Sequence, residues 1–239
     1  MKLDIFQKGF NFSQDGPGNR LVYHLQGCNM RCPWCSNPEG LAPPRPDRGT
    51  DIRELLDESL RSSMMFFDGG GVTFTGGEAT VQFEPLKALL VLLRDNGVNT
   101  ALETNGCHPR LRELFPLVDF LIIDLKHPSD DVHRAVIGTG NEAVIQNIRL
   151  AAREREQMLV RIPLIGGFND SVECSQNFSY ILSNLNKIYV EVLRYHEYGR
   201  DKWVKCGMAC TMENAHVSDE TFKEFCGVLR ARGLNLIST

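Results

Sequence analysis

Six runs of β-branched and apolar residues punctuate the chain: Leu21–Gln26, Val72–Thr75, Thr100–Thr104, Phe120–Leu125, Leu159–Pro163 and Tyr189–Arg194. Between them the apolar positions change to a helical period. Thr50 or Asp51 caps a segment with Ile52, Leu55, Leu56, Ser59 and Leu60 on one face. Leu86, Leu89, Leu90 and Leu93 form a second stripe, closed by the helix stop Asn96-Gly97. Later stripes run through Ala143, Ile148 and Ala151, through Phe178, Ile181, Leu182 and Leu185, and through Phe222, Phe225, Val228 and Leu229. Strands alternating with helices predict parallel pairing through right-handed crossovers, an α/β fold with helices outside. Six such units are fewer than the eight that close a barrel, so the expectation is a partial (β/α)6 TIM-like barrel, curved and partly open. The proline-rich stretch Leu41–Asp47 reads as an extended connector. Neither flank of it could build a core alone, which predicts a single domain over residues 1–239.

Each run also delivers reactive groups at or near its carboxyl end. The first leads to Cys28, Cys32 and Cys35, the second to Gly76-Gly77-Glu78, the third to Glu103-Thr104-Asn105-Gly106 and the fourth to Asp124-Leu125-Lys126. Arg161 lies within the fifth, and the sixth runs into Tyr195-His196-Glu197. Parallel α/β folds place their chemistry at that end of the strands. Scattered surface charge would not sort this way, so the pattern predicts an enzyme.

Composition narrows the setting. A chain of 239 residues with 42% hydrophobic and 23% charged residues is ordinary for a globular protein. A formal net charge of -4 gives no general attraction to nucleic acid or anionic membranes. No apolar run approaches the ~20 residues that span a bilayer. The N-terminus carries an acidic residue early and no signal-peptide core. Eight cysteines in a chain of this length do not suit a disulfide scaffold. A reducing, cytoplasmic location is the expectation.

The cysteines supply the sharpest chemical signal. Cys28, Cys32 and Cys35 are spaced C-x3-C-x2-C directly after the first strand run. A loop that short has already paid most of the entropy of bringing three thiolates to one soft metal centre. A structural zinc site wants four closed positions, usually from two spaced pairs. Three thiolates suit a cubane iron–sulfur cluster with one iron left open. Cys206 and Cys210 form a lone C-x3-C pair without a companion and read, with Cys107, Cys174 and Cys226, as free thiols.

The other candidates each carry a bland reading. Gly76-Gly77 serves equally as a tight strand-to-loop turn or, with Glu78, as a grip on an ammonium group. Asp124 and Lys126 share one strand face and could form a simple ion pair. His196 could be a structural histidine. Trp34 could only pack beside the cysteine loop, or could stack on a base. Gly69-Gly70-Gly71 lacks the Gly-Lys-Ser/Thr of a phosphate-binding loop.

Taken as an ordered set, these motifs resemble the radical S-adenosylmethionine enzymes. Further matches narrow the resemblance to the glycyl-radical-enzyme activating enzymes: Asp15-Gly16-Pro17-Gly18-Asn19-Arg20, Gly69-Gly70-Gly71-Val72-Thr73, and Tyr195-His196-Glu197-Tyr198-Gly199 with Lys202-Trp203. The likeness runs from Asp15 to Trp203. It implies that Cys28, Cys32 and Cys35 hold a 4Fe-4S cluster whose fourth iron takes the amino and carboxylate groups of S-adenosylmethionine. It places the Gly76-Gly77-Glu78 turn on the ammonium and Trp34, Ser36 and Asn37 beside the adenosine. Lys126, Arg161 and His196 would reach the carboxylate or ribose, with Lys126 and His196 counted as catalytic together with the cysteines. It also implies a monovalent cation on Glu103, Thr104 and Asp124; a close relative has aspartate where this chain has Glu103.

The implied reaction is one-electron cleavage of the cofactor and abstraction of a glycine Cα hydrogen from a partner glycyl radical enzyme. A flavodoxin or ferredoxin would be the electron donor, and the chain would act as a monomer under anaerobic conditions. No ferredoxin-like insert is expected, because Glu39 to Asp68 contains no cysteine. Two readings compete. The first is a radical S-adenosylmethionine enzyme acting on a small molecule or peptide. The second is a zinc or redox-sensing binding module without catalysis.

Overall fold

In the computed structural model, residues 1–12, 14–155, 158–212 and 214–238 are described. The chain divides into two compact units: residues 1–29, 39–104 and 108–122 form the first, and residues 30–38, 105–107 and 123–239 the second.

The first unit contains strands β1 (Lys2–Leu3), β2 (Ile5–Phe12), β3 (Asn19–Leu25), β4 (Thr50–Asp51), β5 (Gly71–Gly76) and β6 (Thr100–Thr104). Helices α1 (Ile52–Arg61) and α2 (Phe83–Asp95) join them. β3, β5 and β6 are parallel neighbours in that order, with β2 antiparallel on the outer side of β3. β1 and β4 make a separate antiparallel pair. The expected caps form: the Asp51 carboxylate accepts from the Arg53 N–H, and Asn96 ends α2 just before Gly97. The stripe Leu86, Leu89, Leu90 and Leu93 is fully buried. Each of these leucines contributes roughly 1.5–3 kcal/mol by leaving water.

Arg20, at the start of β3, is completely buried. Its guanidinium donates to Thr73 Oγ1 at 2.7 Å, to the carbonyls of Pro17, Gly69 and Val72, and to Asn99. The Gly69–Gly71 run thus bends around an arginine rather than a phosphate. Burial pushes the Arg20 pKa down to about 10, so it stays charged at neutral pH. Six neutral acceptor atoms, two of them on Asn99, offset part of the cost of enclosing that charge.

Strand β7 (Phe120–Asp124) passes from the first unit to the second after Ile122. The segment before it is a 3-10 run, Leu111–Leu117, rather than an α-helix. Pro116 lies inside that run and has no N–H for an α-helical bond, so the unit departs from regular β/α alternation.

The second unit continues with α3 (Asp130–Ile137), α4 (Glu142–Glu154), β8 (Met158–Leu164), α5 (Val172–Leu182), β9 (Ile188–Arg194), α6 (Arg200–Lys205), α7 (Asp219–Ala231) and β10 (Leu236–Ile237). β8, β9 and β10 are parallel neighbours. The Leu125 N–H, just past β7, donates to Arg161 O on β8. Phe178 of α5 meets Phe225 of α7 edge-on at 6.0 Å between ring centroids. α5 stops at Leu182, so Leu185 lies beyond the helix its stripe suggested.

All six expected strands are present, helices connect most of them, and the sheet is mostly parallel. The added strands are β2 and three two-residue pieces. Most of β2 is exposed, so it shows no buried apolar face for a sequence reading to detect.

Candidate active site

In the first unit, β3, β5 and β6 run parallel, so the residues just past their carboxyl ends lie at one end of that sheet. Cys28 stands three residues past β3. Gly76 ends β5 with φ +121°, a backbone state that side chains resist. The Gly77 N–H donates to Leu25 O at 3.0 Å and the Glu78 N–H to Gly27 O at 2.7 Å. A Cβ on Gly77 would lie 2.4 Å from Gly27 O and 2.5 Å from Gly40 O. The tight-turn reading of these glycines is therefore the one the backbone realises. The glycines permit backbone-on-backbone packing, and the amides are spent on the protein. What the turn offers a ligand is carbonyl oxygen and carboxylate, a set suited to a cation such as an ammonium.

Glu78 is only 3% exposed. Its Oε1 accepts from the Thr80 N–H at 3.0 Å, from the Thr80 hydroxyl and from Thr104 Oγ1 at 2.7 Å. Those donors stabilise a buried carboxylate that would otherwise be costly. Glu103 accepts from Thr75 Oγ1 at 2.9 Å.

In the second unit, the Cys35 N–H donates to Cys32 O at 3.1 Å, closing a turn between two cysteines. Trp34 packs at 4.6 Å on Phe168, which in turn lies 4.9 Å from His127. This is the packing role that its place beside the cysteine loop suggests. Asn37 Oδ1 accepts from Lys202 Nζ at 2.9 Å.

Asp124 and Lys126 do form an ion pair, Nζ to Oδ2 at 2.7 Å, with the lysine side chain 10% exposed. Arg161 donates through Nε to Glu191 Oε2 at 2.7 Å, and Glu191 is 2% exposed. The pairing comes from register, since β8 and β9 set Arg161 opposite Glu191. Sequence reasoning does not single out Glu191. Its signal is an acidic residue interrupting an apolar strand run, which acquires meaning only when the register is known.

His196 comes just after β9 and stacks on Tyr198 at 4.3 Å. Burial pushes its pKa below the usual histidine range, so it is neutral at pH 7. Its Nδ1 is buried and has no hydrogen-bond partner among the described residues. An enclosed nitrogen in that state suits a ligand hydroxyl.

All eight cysteines are thiols outside any disulfide. Cys206 is exposed and Cys210 partly so. Cys174 Sγ lies 3.6 Å from His127 Nε2. Among the described residues no three His, Cys, Asp or Glu side chains stand grouped as a preformed metal cage. The case for the triad is thus its thiol chemistry and spacing, together with kinship.

That kinship is direct. Residues 22–173 match the Radical SAM superfamily, and the chain belongs to it. It is a radical S-adenosylmethionine enzyme by membership, with the α/β architecture of that class. Within the class, the chain is similar to the pyruvate formate-lyase-activating enzyme of Staphylococcus aureus (strain USA300), at 31% identity over 216 residues covering 86% of each chain. A solved domain of pyruvate-formate lyase-activating enzyme from Bacteroides vulgatus ATCC 8482 has a TM-score of 0.58 and 26% identity, over 71% of this chain and 98% of that one. A radical SAM methyltransferase from Sphaerobacter thermophilus shares the fold, with a TM-score of 0.69 at 18% identity over 95% of this chain and 67% of the other. A 4Fe-4S cluster and S-adenosylmethionine are the family's cofactors. The chemistry of the residues fits them: three thiols, an acceptor-only turn, a buried lysine, a partly buried arginine and a neutral histidine with an unpartnered nitrogen.

Proposed function

We propose that this chain is an activating enzyme that installs a glycyl radical on a partner enzyme of the pyruvate formate-lyase kind. The observation that carries this reading is 31% identity across 86% of the chain to a pyruvate formate-lyase-activating enzyme. The site chemistry supports it.

When bound, a reduced 4Fe-4S cluster with S-adenosylmethionine supplies a 5′-deoxyadenosyl radical, the hard part of the chemistry. Cys28, Cys32 and Cys35 would hold the cluster and leave one iron open. The Gly76-Gly77-Glu78 turn would accept from the cofactor's ammonium through oxygens its own amides do not use. Lys126 and Arg161 would face the carboxylate, and His196, neutral, would hydrogen-bond the ribose through Nδ1. Trp34, Ser36 and Asn37 would border the adenosine. Glu103, Thr104 and Asp124 would share a monovalent cation. The chain's own task is to orient these groups and keep water and oxygen from the reacting carbon. A flavodoxin or ferredoxin would supply the electron, and the chain would work as a cytoplasmic monomer and as one domain without a second cluster.

The test is anaerobic incubation of the cluster-loaded, reduced chain with S-adenosylmethionine and a pyruvate formate-lyase, read by electron paramagnetic resonance. A glycyl radical on the partner is the expected result. Cofactor cleavage with no radical on any glycyl radical enzyme, but turnover of a small molecule or peptide, overturns the activase reading.

A further inference from the structure

The loop that carries the second and third cysteines is gripped by a helix whose residues no role has yet claimed. At the loop's start, the Arg31 N–H donates to Ile137 O at the end of α3 (2.9 Å). At its other end, the indole N–H of Trp203 donates to Cys35 O at 2.8 Å, and Lys202 Nζ donates to Asn37 Oδ1 at 2.9 Å. Gly199, which precedes α6, lies against the same backbone. A Cβ there would fall 2.7 Å from Cys35 O and 2.7 Å from Ser36 Cα, and neither can move as a side chain would. Three separate contacts from five residues of sequence therefore converge on Cys35, Ser36 and Asn37. α6 buries none of its six residues, so core packing does not explain its seat.

We infer that Lys202 and Trp203 are positioning residues for the cofactor: Trp203 fixes the backbone of the third cysteine, and Lys202 fixes the Asn37 amide. Neither needs to touch the cofactor. Lys202 donates to the amide oxygen of Asn37, which orients its NH2 group away from the lysine as a donor. Trp203 satisfies a carbonyl next to a proposed metal-ligating sulfur, holding the peptide plane and so the direction of the thiolate. Gly199 is the small residue that lets the helix come this close. The inference rests on the reading of Cys35 as a cluster ligand and Asn37 as an adenosine neighbour.

The experiment uses the full chain, loaded anaerobically with iron and sulfide. Iron content is measured first, and S-adenosylmethionine is then titrated against the spectrum of the oxidised cluster, which has no electron with which to cleave it. Trp203→Phe keeps the ring and removes the donor; Lys202→Met keeps the stem and removes the charge. Both should retain wild-type iron content and bind S-adenosylmethionine about fivefold to tenfold more weakly, the scale of one lost hydrogen bond. Lys202→Arg should recover most of the affinity. In an Asn37→Ala background, Lys202→Met should cost nothing further, because the lysine acts through that amide.

Binding within twofold of wild type in both single variants overturns the inference. So does a Lys202→Met loss that is undiminished in the Asn37→Ala background. If Trp203→Phe fails to fold, the Lys202 arms decide alone. A wild-type chain that takes up no cluster overturns the site reading itself, and that outcome is seen before any variant is compared.

Discussion

At the scale of single residues, the chain separates groups that build the fold from groups left for chemistry. On the proposed function Cys32 belongs to the second kind and Cys206 with Cys210 to neither. Cys32→Ala should abolish iron uptake, whereas the double change Cys206→Ala, Cys210→Ala should leave it intact. Loss of iron in the double variant would expose a second metal site. Arg20 is wholly structural: its donors end on Thr73, Pro17, Gly69, Val72 and Asn99. Arg20→Met strands these buried acceptors and should cost at least ~3 kcal/mol in urea denaturation, since each unsatisfied group costs about 1–3 kcal/mol. A change under about 1 kcal/mol would mean that water replaces the guanidinium.

The cysteine triad is legible from spacing alone, and so is the alternation that pairs Asp124 with Lys126. Glu191 and the Trp203 contact are not. Each depends on a partner 30 or 168 positions away in sequence, which no local pattern encodes.

At the scale of elements, short apolar runs and helical stripes locate all six central strands and most of the long helices. They fail where burial is weak. β2 exposes most of its length, α6 buries nothing, and α3 is two turns with only His133 and Ile137 buried. Patterning reads the core face of an element, so an element without one is invisible to it. The stripe through Phe222, Phe225 and Leu229 is the opposite case. Phe225 is 2% exposed against Phe178, and Phe225→Ala should destabilise the chain by about 3–5 kcal/mol. Ser218 caps the same helix by accepting from the Thr221 N–H at 3.1 Å, and Ser218→Ala should cost only about 1 kcal/mol. Thermal or urea unfolding separates the two magnitudes. Equal losses would show that α7 is held by its end rather than its face.

At the scale of the whole molecule, burial of imidazoles sets the acid limit. His108, His127, His133 and His196 are all pushed below the ordinary value of 6.5, in each case chiefly by burial. A histidine held neutral by folding binds fewer protons than its unfolded counterpart below 6.5. The stability it contributes is complete above that pH and is lost as pH falls through the lower folded-state value. The urea midpoint should therefore drop between about pH 7.5 and about pH 5.5. His133→Gln, at a fully buried site, should flatten part of that slope. A midpoint that does not change with pH would contradict the assignment of these four side chains as neutral.

The parallel order of the strands also explains why the candidate residues stand out in the sequence. Within each unit parallel strands return the chain to one end, so polar residues recur at or near the ends of the apolar runs. The central claim is a cluster held by three cysteines with one iron left for S-adenosylmethionine. It is tested most directly by incubating the anaerobically reconstituted, reduced chain with S-adenosylmethionine and quantifying 5′-deoxyadenosine. Formation by the wild type and none by Cys32→Ala is the expected result. An iron-loaded wild type that yields no 5′-deoxyadenosine, with a cluster spectrum indifferent to the added cofactor, would contradict it.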